Sequence, residues 1–311
     1  MRAVRYGGPE VLTLAEEPVP EPGPGEARVR VRAAGVNPAD WKTYSGAFGT
    51  DPARLPLRLG FEAAGVVTAV GEGAAGPAGP LAVGDEVIGF RLSGAYASDV
   101  VAPGSAFVPK PAGLSFEAAG GLMLAGATAV HALTATGVGE GDTVLVHGAS
   151  GGVGQMVVQL ARARGARVVG TAGEASADVV RRLGGEPVRY GAGLADRVRD
   201  LAPGGVDAAV DTVGADEAVD VSLALVPDRG RIATIAAFER GAAEGIRVLG
   251  GGPGADPGTE LRDAARPELA RLAGEGRLVV AVAATFSLAE AAEAHRLGMQ
   301  GHTHGKIVLV P

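Results

Sequence analysis

Thr143-Val-Leu-Val-His-Gly-Ala-Ser-Gly-Gly-Val-Gly154 runs through a helical stretch into Arg167-Val-Val-Gly-Thr-Ala172. The order reads as strand, glycine turn, helix, strand. The β-branched residues of 143–146 deliver the chain to a turn in which Gly148, Gly151, Gly152 and Gly154 remove side chains that would hold backbone N–H groups away from a pyrophosphate. A helix starting near Gly152 then aims its positive end at those phosphates. The spacing is not G-x-G-x-x-G, but the strand-turn-helix context carries the reading, and Gly148, Ser150, Gly151, Gly152 and Val153 are the expected dinucleotide contacts.

Outward from this unit, strand and helix alternate. Helices are expected near 176–183, 194–201 and 216–225, with strands near Val188, at 206–211 and at 231–235, which implies a parallel sheet covered on both faces. Before it, 28–34 alternates polar and apolar, and short strand signals recur at 65–70, 83–90 and 96–101 among Gly and Pro turns, as in a compact β-rich domain. Ser115 is the expected N-cap of the first helix. After it come a helix over 259–273, a strand over 278–282, a Ser287/Glu290 capping box and a closing strand that starts at Gly305. We expect this tail to return to the first domain. The reading is therefore an α/β chain: a doubly wound parallel sheet over 113–282, inserted into a β-rich domain made of 1–112 and 283–311.

Composition narrows the function. The chain has 311 residues, 47% hydrophobic and 20% charged, with a net charge of −7. No basic stripe interleaved with aromatics suggests nucleic acid or an anionic membrane, so a small-molecule partner is expected. No apolar run reaches the roughly 18 residues of a membrane helix, and the start lacks the apolar core of a signal peptide, so we expect a cytoplasmic protein. Cysteine is absent, which removes disulfides, thiol nucleophiles and thiolate metal ligands together. Of the 28 basic residues only Lys42, Lys110 and Lys306 are lysines, which draws attention to sites where a compact ammonium serves and a planar guanidinium does not.

Further motifs carry a resemblance. Tyr6-Gly-Gly-Pro-Glu-Val-Leu, Gly35-Val-Asn-Pro-Ala-Asp-Trp-Lys, Gly60-Phe-Glu-Ala-Ala-Gly-Val-Val, Gly84-Asp-Glu-Val, Ala127-Thr-Ala, the turn at Gly148, Asp211-Thr-Val-Gly and Gly305-Lys-Ile-Val-Leu occur in this order. In order and spacing the chain resembles the zinc-independent quinone oxidoreductase branch of the medium-chain dehydrogenase/reductase superfamily. The resemblance implies a GroES-like catalytic domain interrupted by a Rossmann domain, an active site in the cleft between them, and a homodimer joined through an edge strand, for which 245–249 is the candidate. Zinc-dependent relatives carry Cys and His where this chain has Asn37 and Phe61, and zinc needs three protein ligands. We expect no metal, and read His295, His302 and His304 as solvated histidines beside a turn.

The second strand of the Rossmann unit ends Thr171-Ala172-Gly173, with Ala172 where an NAD-specific protein places an acid. That favours NADPH. No Lys or Arg follows closely, and Arg181 or Arg182 is the nearest cation in sequence. By resemblance, Tyr190 packs near the adenosine ribose and 2′-phosphate, or is an ordinary strand-end aromatic. Asn37, Lys42 and Thr128 surround the nicotinamide end, Val213 and Gly214 its ribose, and Ile235, Ala236 and Phe238 the ring, with Gly305 and Lys306 approaching from the tail.

Hydride transfer to a quinone or an α,β-unsaturated carbonyl requires few catalytic side chains. Lys42 and Tyr44 are the candidate donors to a developing oxyanion, with Asn37 beside them; Tyr96 is a second tyrosine in that role. Asp40 and Glu62 read as structural hydrogen-bond acceptors. A short-chain dehydrogenase is disfavoured because no tyrosine has Lys four residues on. A non-catalytic NADPH-binding sensor of the same fold is the alternative.

Overall fold

The computed structural model describes residues 1–301 and 303–311, so His302 lies outside the described residues. The chain divides into two compact units, 1–124 with 265–311, and 125–264. The sequence reading drew the divisions at 112/113 and 282/283. In the first unit, helix Phe116–Gly120 packs on the strands Glu26–Val36 and Glu62–Val70, and helix Arg266–Gly274 packs on Phe107–Pro109.

The β-rich unit centres on a seven-stranded sheet. Strand Glu26–Val36 alternates as its sequence requires, with Ala27, Val29, Val31 and Ala33 turned inward. It pairs antiparallel with Glu62–Val70, with Asp99–Pro103 and with the closing strand Lys306–Val310, so the tail does return to this unit. Strand Val282–Ser287 lies parallel to that closing strand at the sheet's edge. The strand expected over 278–282 is displaced to this position. Leu278 and Val280 are buried without pairing, and the ladder begins only where Lys306 N–H bonds Ala281 C=O at 2.8 Å. The helix expected over 259–273 is two, Thr259–Ala264 and Arg266–Gly274. Pro267 has no N–H to continue the first and suits the opening turn of the second.

The other unit is a parallel six-stranded sheet. Its order is Glu186–Arg189, Arg167–Ala172, Thr143–His147, Ala208–Asp211, Ile232–Thr234, Arg247–Val248. The first strand in sequence lies third, so the chain reverses direction across the sheet between Thr143–His147 and Ala208–Asp211. Ligands of open α/β sheets bind at the carboxyl ends of the strands beside such a reversal. Leu145, Val169, Val188, Ala209 and Ile232 form the core on one face, with Leu194 and Val198 of helix Leu194–Leu201 and Val219 of helix Asp216–Leu225 packed on them.

Candidate functional site

The glycine turn sits at the carboxyl end of Thr143–His147. Gly148 adopts φ +74°, a conformation L side chains avoid, and its N–H donates to Thr171 Oγ1 at 3.0 Å while Ala149 N–H bonds Thr171 C=O at 3.0 Å. Thr171 thus fixes the turn. A Cβ on Gly154 would lie 2.1 Å from Gly148 C=O, so helix Gly152–Ala163 can start this close only with glycine there. At Gly151 a Cβ would meet only Gly148 C=O, at 3.4 Å; the turn's other side is open. The first N–H groups of a helix lack intrahelical partners, and a glycine turn in front of them carries no side chains to screen them from an anion.

The neighbouring strand ends supply the rest. Ala172 and Gly173 end Arg167–Ala172, and Tyr190 follows Glu186–Arg189 with its hydroxyl 3.6 Å from where a Cβ on Gly173 would stand. Beyond Ala208–Asp211, Asp211 Oδ1 accepts from Val213 N–H at 2.8 Å and Gly214 N–H at 3.0 Å, and its Oδ2 accepts from Thr234 Oγ1 at 2.7 Å. Thr234 Oγ1 in turn accepts from Ala236 N–H and Ala237 N–H. Asp211 therefore ties 213–214 to 235–238, bringing Val213, Gly214, Ile235, Ala236 and Phe238 to the same end of the sheet as the turn. Thr128 lies buried on helix Met123–Ala135.

The β-rich unit holds Asn37, Glu62 and Lys306 in a buried polar nest. Asn37 caps helix Pro38–Tyr44 in a capping box with Asp40. Its Nδ2 donates to Gly35 C=O at 3.2 Å and to Glu62 Oε1 at 3.0 Å. Glu62 Oε2 accepts from Leu124 N–H at 2.8 Å. Lys306 Nζ donates to Glu62 Oε1 at 3.0 Å, to Val36 C=O at 3.3 Å and to Asn37 Oδ1. A Cβ on Gly35 would fall 2.3 Å from Glu62 Oε1, so the carboxylate fits against this strand because that residue has no side chain.

All three ammonium protons of Lys306 and both amide hydrogens of Asn37 are used within the nest. Gly305 is explained by packing, since at φ +139° a Cβ there would stand 2.5 Å from Ala281 C=O. Asp40 and Glu62 are structural acceptors, as read.

The readings of the tyrosines and His295 are corrected. His295 is wholly buried, not solvated: Nδ1 pairs with Tyr44 Oη at 2.8 Å and Nε2 with Tyr96 Oη at 3.3 Å. Tyr44 and Tyr96 have no exposed surface. Their hydroxyls face an internal imidazole, which takes them out of the role of donors to a substrate. Burial pushes the His295 imidazole down to about 4, keeping it neutral, and pushes Tyr44 and Tyr96 well above the usual phenol range. The Asp40 carboxyl, bonded by Asn37 N–H at 2.9 Å and Gly60 N–H at 3.1 Å and adjoined by the Tyr96 hydroxyl, is nonetheless raised to about 7 by burial. Lys42 is half-buried, and desolvation lowers its ammonium from the ordinary lysine value. His304 is exposed.

Residues 23–112 match the family model described as alcohol dehydrogenase GroES-like domain, and residues 183–309 that described as zinc-binding dehydrogenase. Mouse quinone oxidoreductase is 34% identical over 249 residues, 76% of this chain and 73% of that protein. The chain belongs to the quinone oxidoreductase branch of the medium-chain dehydrogenase/reductase superfamily. As a member it is an oxidoreductase. A 2-haloacrylate reductase from a Burkholderia species is 35% identical, covering 99% of this chain and 97% of that one. The solved quinone oxidoreductase of Escherichia coli, complexed with NADPH, superposes with a TM-score of 0.86 at 28% identity, covering 100% of this chain and 99% of that one. Several other mammalian quinone oxidoreductases align over 53% of their length.

Proposed function

We propose that the protein is a zinc-independent, NADPH-dependent oxidoreductase that transfers hydride to a quinone or an α,β-unsaturated carbonyl. The observation that carries this reading is the open glycine turn at the carboxyl end of Thr143–His147, beside a second strand that ends on Ala172 and Gly173 instead of an acid. Gly148, Ser150, Gly151, Gly152 and Val153 bind the pyrophosphate through main-chain amides. Thr171, Ala172, Gly173 and Tyr190 receive the adenosine ribose, and Val213, Gly214, Ile235, Ala236 and Phe238, held by Asp211 and Thr234, the nicotinamide side. When bound, NADPH supplies the hydride; the protein orients it and excludes water. Lys42 is the proposed donor to the oxygen that gains charge, and desolvation of its ammonium fits that role.

The donor chemistry at the family's metal position does not suit zinc. Phe61 cannot ligate, and the oxygens of Asn37 and Glu62 already receive the Lys306 ammonium, a cation that a divalent ion would have to displace. Among the described residues no group of three or more His, Cys, Asp or Glu could hold a metal ion.

The test is oxidation of NADPH and NADH, followed near about 340 nm, against ortho-quinones, para-quinones and α,β-unsaturated ketones, on protein analysed for zinc. Turnover with NADPH at negligible zinc content is expected. Absence of both turnover and coenzyme binding defeats the proposal. Lys42→Ala should lose turnover while keeping coenzyme affinity; unchanged turnover removes Lys42 from the mechanism. We also propose a cytoplasmic homodimer joined through the edge strand Arg247–Val248, for which sedimentation should return twice the mass of the chain.

A further inference from the structure

No Lys or Arg closely follows Ala172 in the sequence, where Arg181 and Arg182 are the nearest. Arg181, one of the two nearest in sequence, is bonded to Asp178 at 2.6 Å. The parallel ladder brings another: Ala172 stands in register with Arg189, the last residue of the neighbouring strand. Residues paired across a sheet project to the same face, so Arg189 shares the face of Ala172. The adjoining pair on that face is Gly170 and Pro187, and a Cβ on Gly170 would meet Ala149 and Val180, which identifies the face as the one carrying helix Ala177–Arg182. Arg189 is exposed, and among the described residues its guanidinium takes part in no hydrogen bond or ion pair.

The backbone around it is built with unusual care for a surface loop. Arg197 donates to Arg189 C=O at 3.0 and 2.7 Å, to Gly191 C=O at 2.8 Å and to Ala192 C=O at 2.7 Å. Glu217 accepts from Gly191 N–H at 2.9 Å. One guanidinium thus clamps three carbonyls of 189–192, holding the backbone on both sides of Tyr190 and adding a second positive charge to this loop. A free arginine held on a clamped loop beside a small-residue strand end has the chemistry of a monoester phosphate receptor. The exposed carboxylate of Glu174, two residues beyond Ala172, is the opposing charge of this patch.

We infer that Arg189, positioned by the Arg197 clamp and flanked by Tyr190, is the residue that selects the 2′-phosphorylated coenzyme. The inference rests on reading the glycine turn as a pyridine-dinucleotide site. It assigns the discrimination to the end of strand Glu186–Arg189, not to the loop after Arg167–Ala172.

Calorimetric titration of the coenzyme-free protein with NADPH, NADH and adenosine 2′-monophosphate tests it without turnover. Arg189→Met is expected to weaken NADPH and adenosine 2′-monophosphate by about tenfold or more, leave NADH unchanged and so shift the preference towards NADH, with Arg189→Lys recovering part of the loss. Equal weakening of NADPH and NADH overturns the inference, since Arg189 would then act only through loop shape. Undiminished NADPH affinity in Arg189→Met, in a wild type that prefers NADPH, overturns it while the coenzyme reading stands. If the wild type binds neither NADPH nor NADH, the coenzyme reading fails and the inference falls with it.

Discussion

Two buried groups in the β-rich unit titrate against each other, and single substitutions should expose them. Asp40, raised to about 7, binds its proton more tightly folded than unfolded. Its contribution is fully present below the ordinary carboxylate range near pH 4 and is lost as pH rises through about 7. At 1.4 kcal/mol per unit the loss is on the order of 4 kcal/mol. His295, lowered to about 4, behaves in the opposite sense: the unfolded state takes the proton first, and stability falls as pH drops from about 6.5 to 4, by on the order of 3 kcal/mol. Between pH 4 and 6.5 the two slopes nearly cancel, so these groups leave the wild type almost flat there.

Asp40→Asn leaves His295 alone, and the variant should gain on the order of 3 kcal/mol between pH 4 and 6.5. His295→Gln, which can still donate to one tyrosine and accept from the other, leaves Asp40 alone and should lose on the order of 4 kcal/mol from pH 4 to 7 or just above. The protein's single tryptophan, Trp41, stands with its ring 5.8 Å from the His295 ring. Urea unfolding followed by its fluorescence therefore reads the stability of this unit. Parallel pH profiles for the three proteins would refute the reasoning.

Lys306→Met leaves the Glu62 carboxylate buried without its cation and should cost about 3–5 kcal/mol in the same unfolding assay; adding Glu62→Gln should recover much of it. A loss below about 1 kcal/mol would mean the pair is not buried as described. Gly154→Ala drives a methyl against Gly148 C=O, and calorimetry should show NADPH affinity falling at least tenfold with NADH falling alike, because the pyrophosphate cradle is common to both. Retained affinity would show that the turn can relax without harm.

The glycine turn and the strand alternation were legible because each writes its geometry locally, as missing side chains and as a period of two. The placement of the closing strand was legible too. Apolarity misled at 278–282, where Leu278 and Val280 are buried but the ladder forms over Val282–Ser287, whose residues alternate between partly buried and exposed. Apolar residues report burial, not pairing. His295 read as a surface histidine because its partners, Tyr44 and Tyr96, lie 251 and 199 residues away in sequence. The same distance hid the role of Lys306, whose scarcity as a lysine marked it while its partner Glu62 is 244 residues upstream. Arg189 comes beside Ala172 only through the register of the neighbouring strand, which no pattern along a single strand encodes.

The Lys306–Glu62 contact also bears on how the chain is made. Residues 125–264 form a contiguous unit that can close on itself as soon as it clears the ribosome. The β-rich unit cannot. Its early strands emerge with a carboxylate destined for the interior, and the ammonium that neutralises it arrives only with strand Lys306–Val310, 244 residues later. The inserted unit therefore matures while the segments that flank it in sequence wait, and strand Lys306–Val310 both joins the sheet and neutralises the buried carboxylate of Glu62.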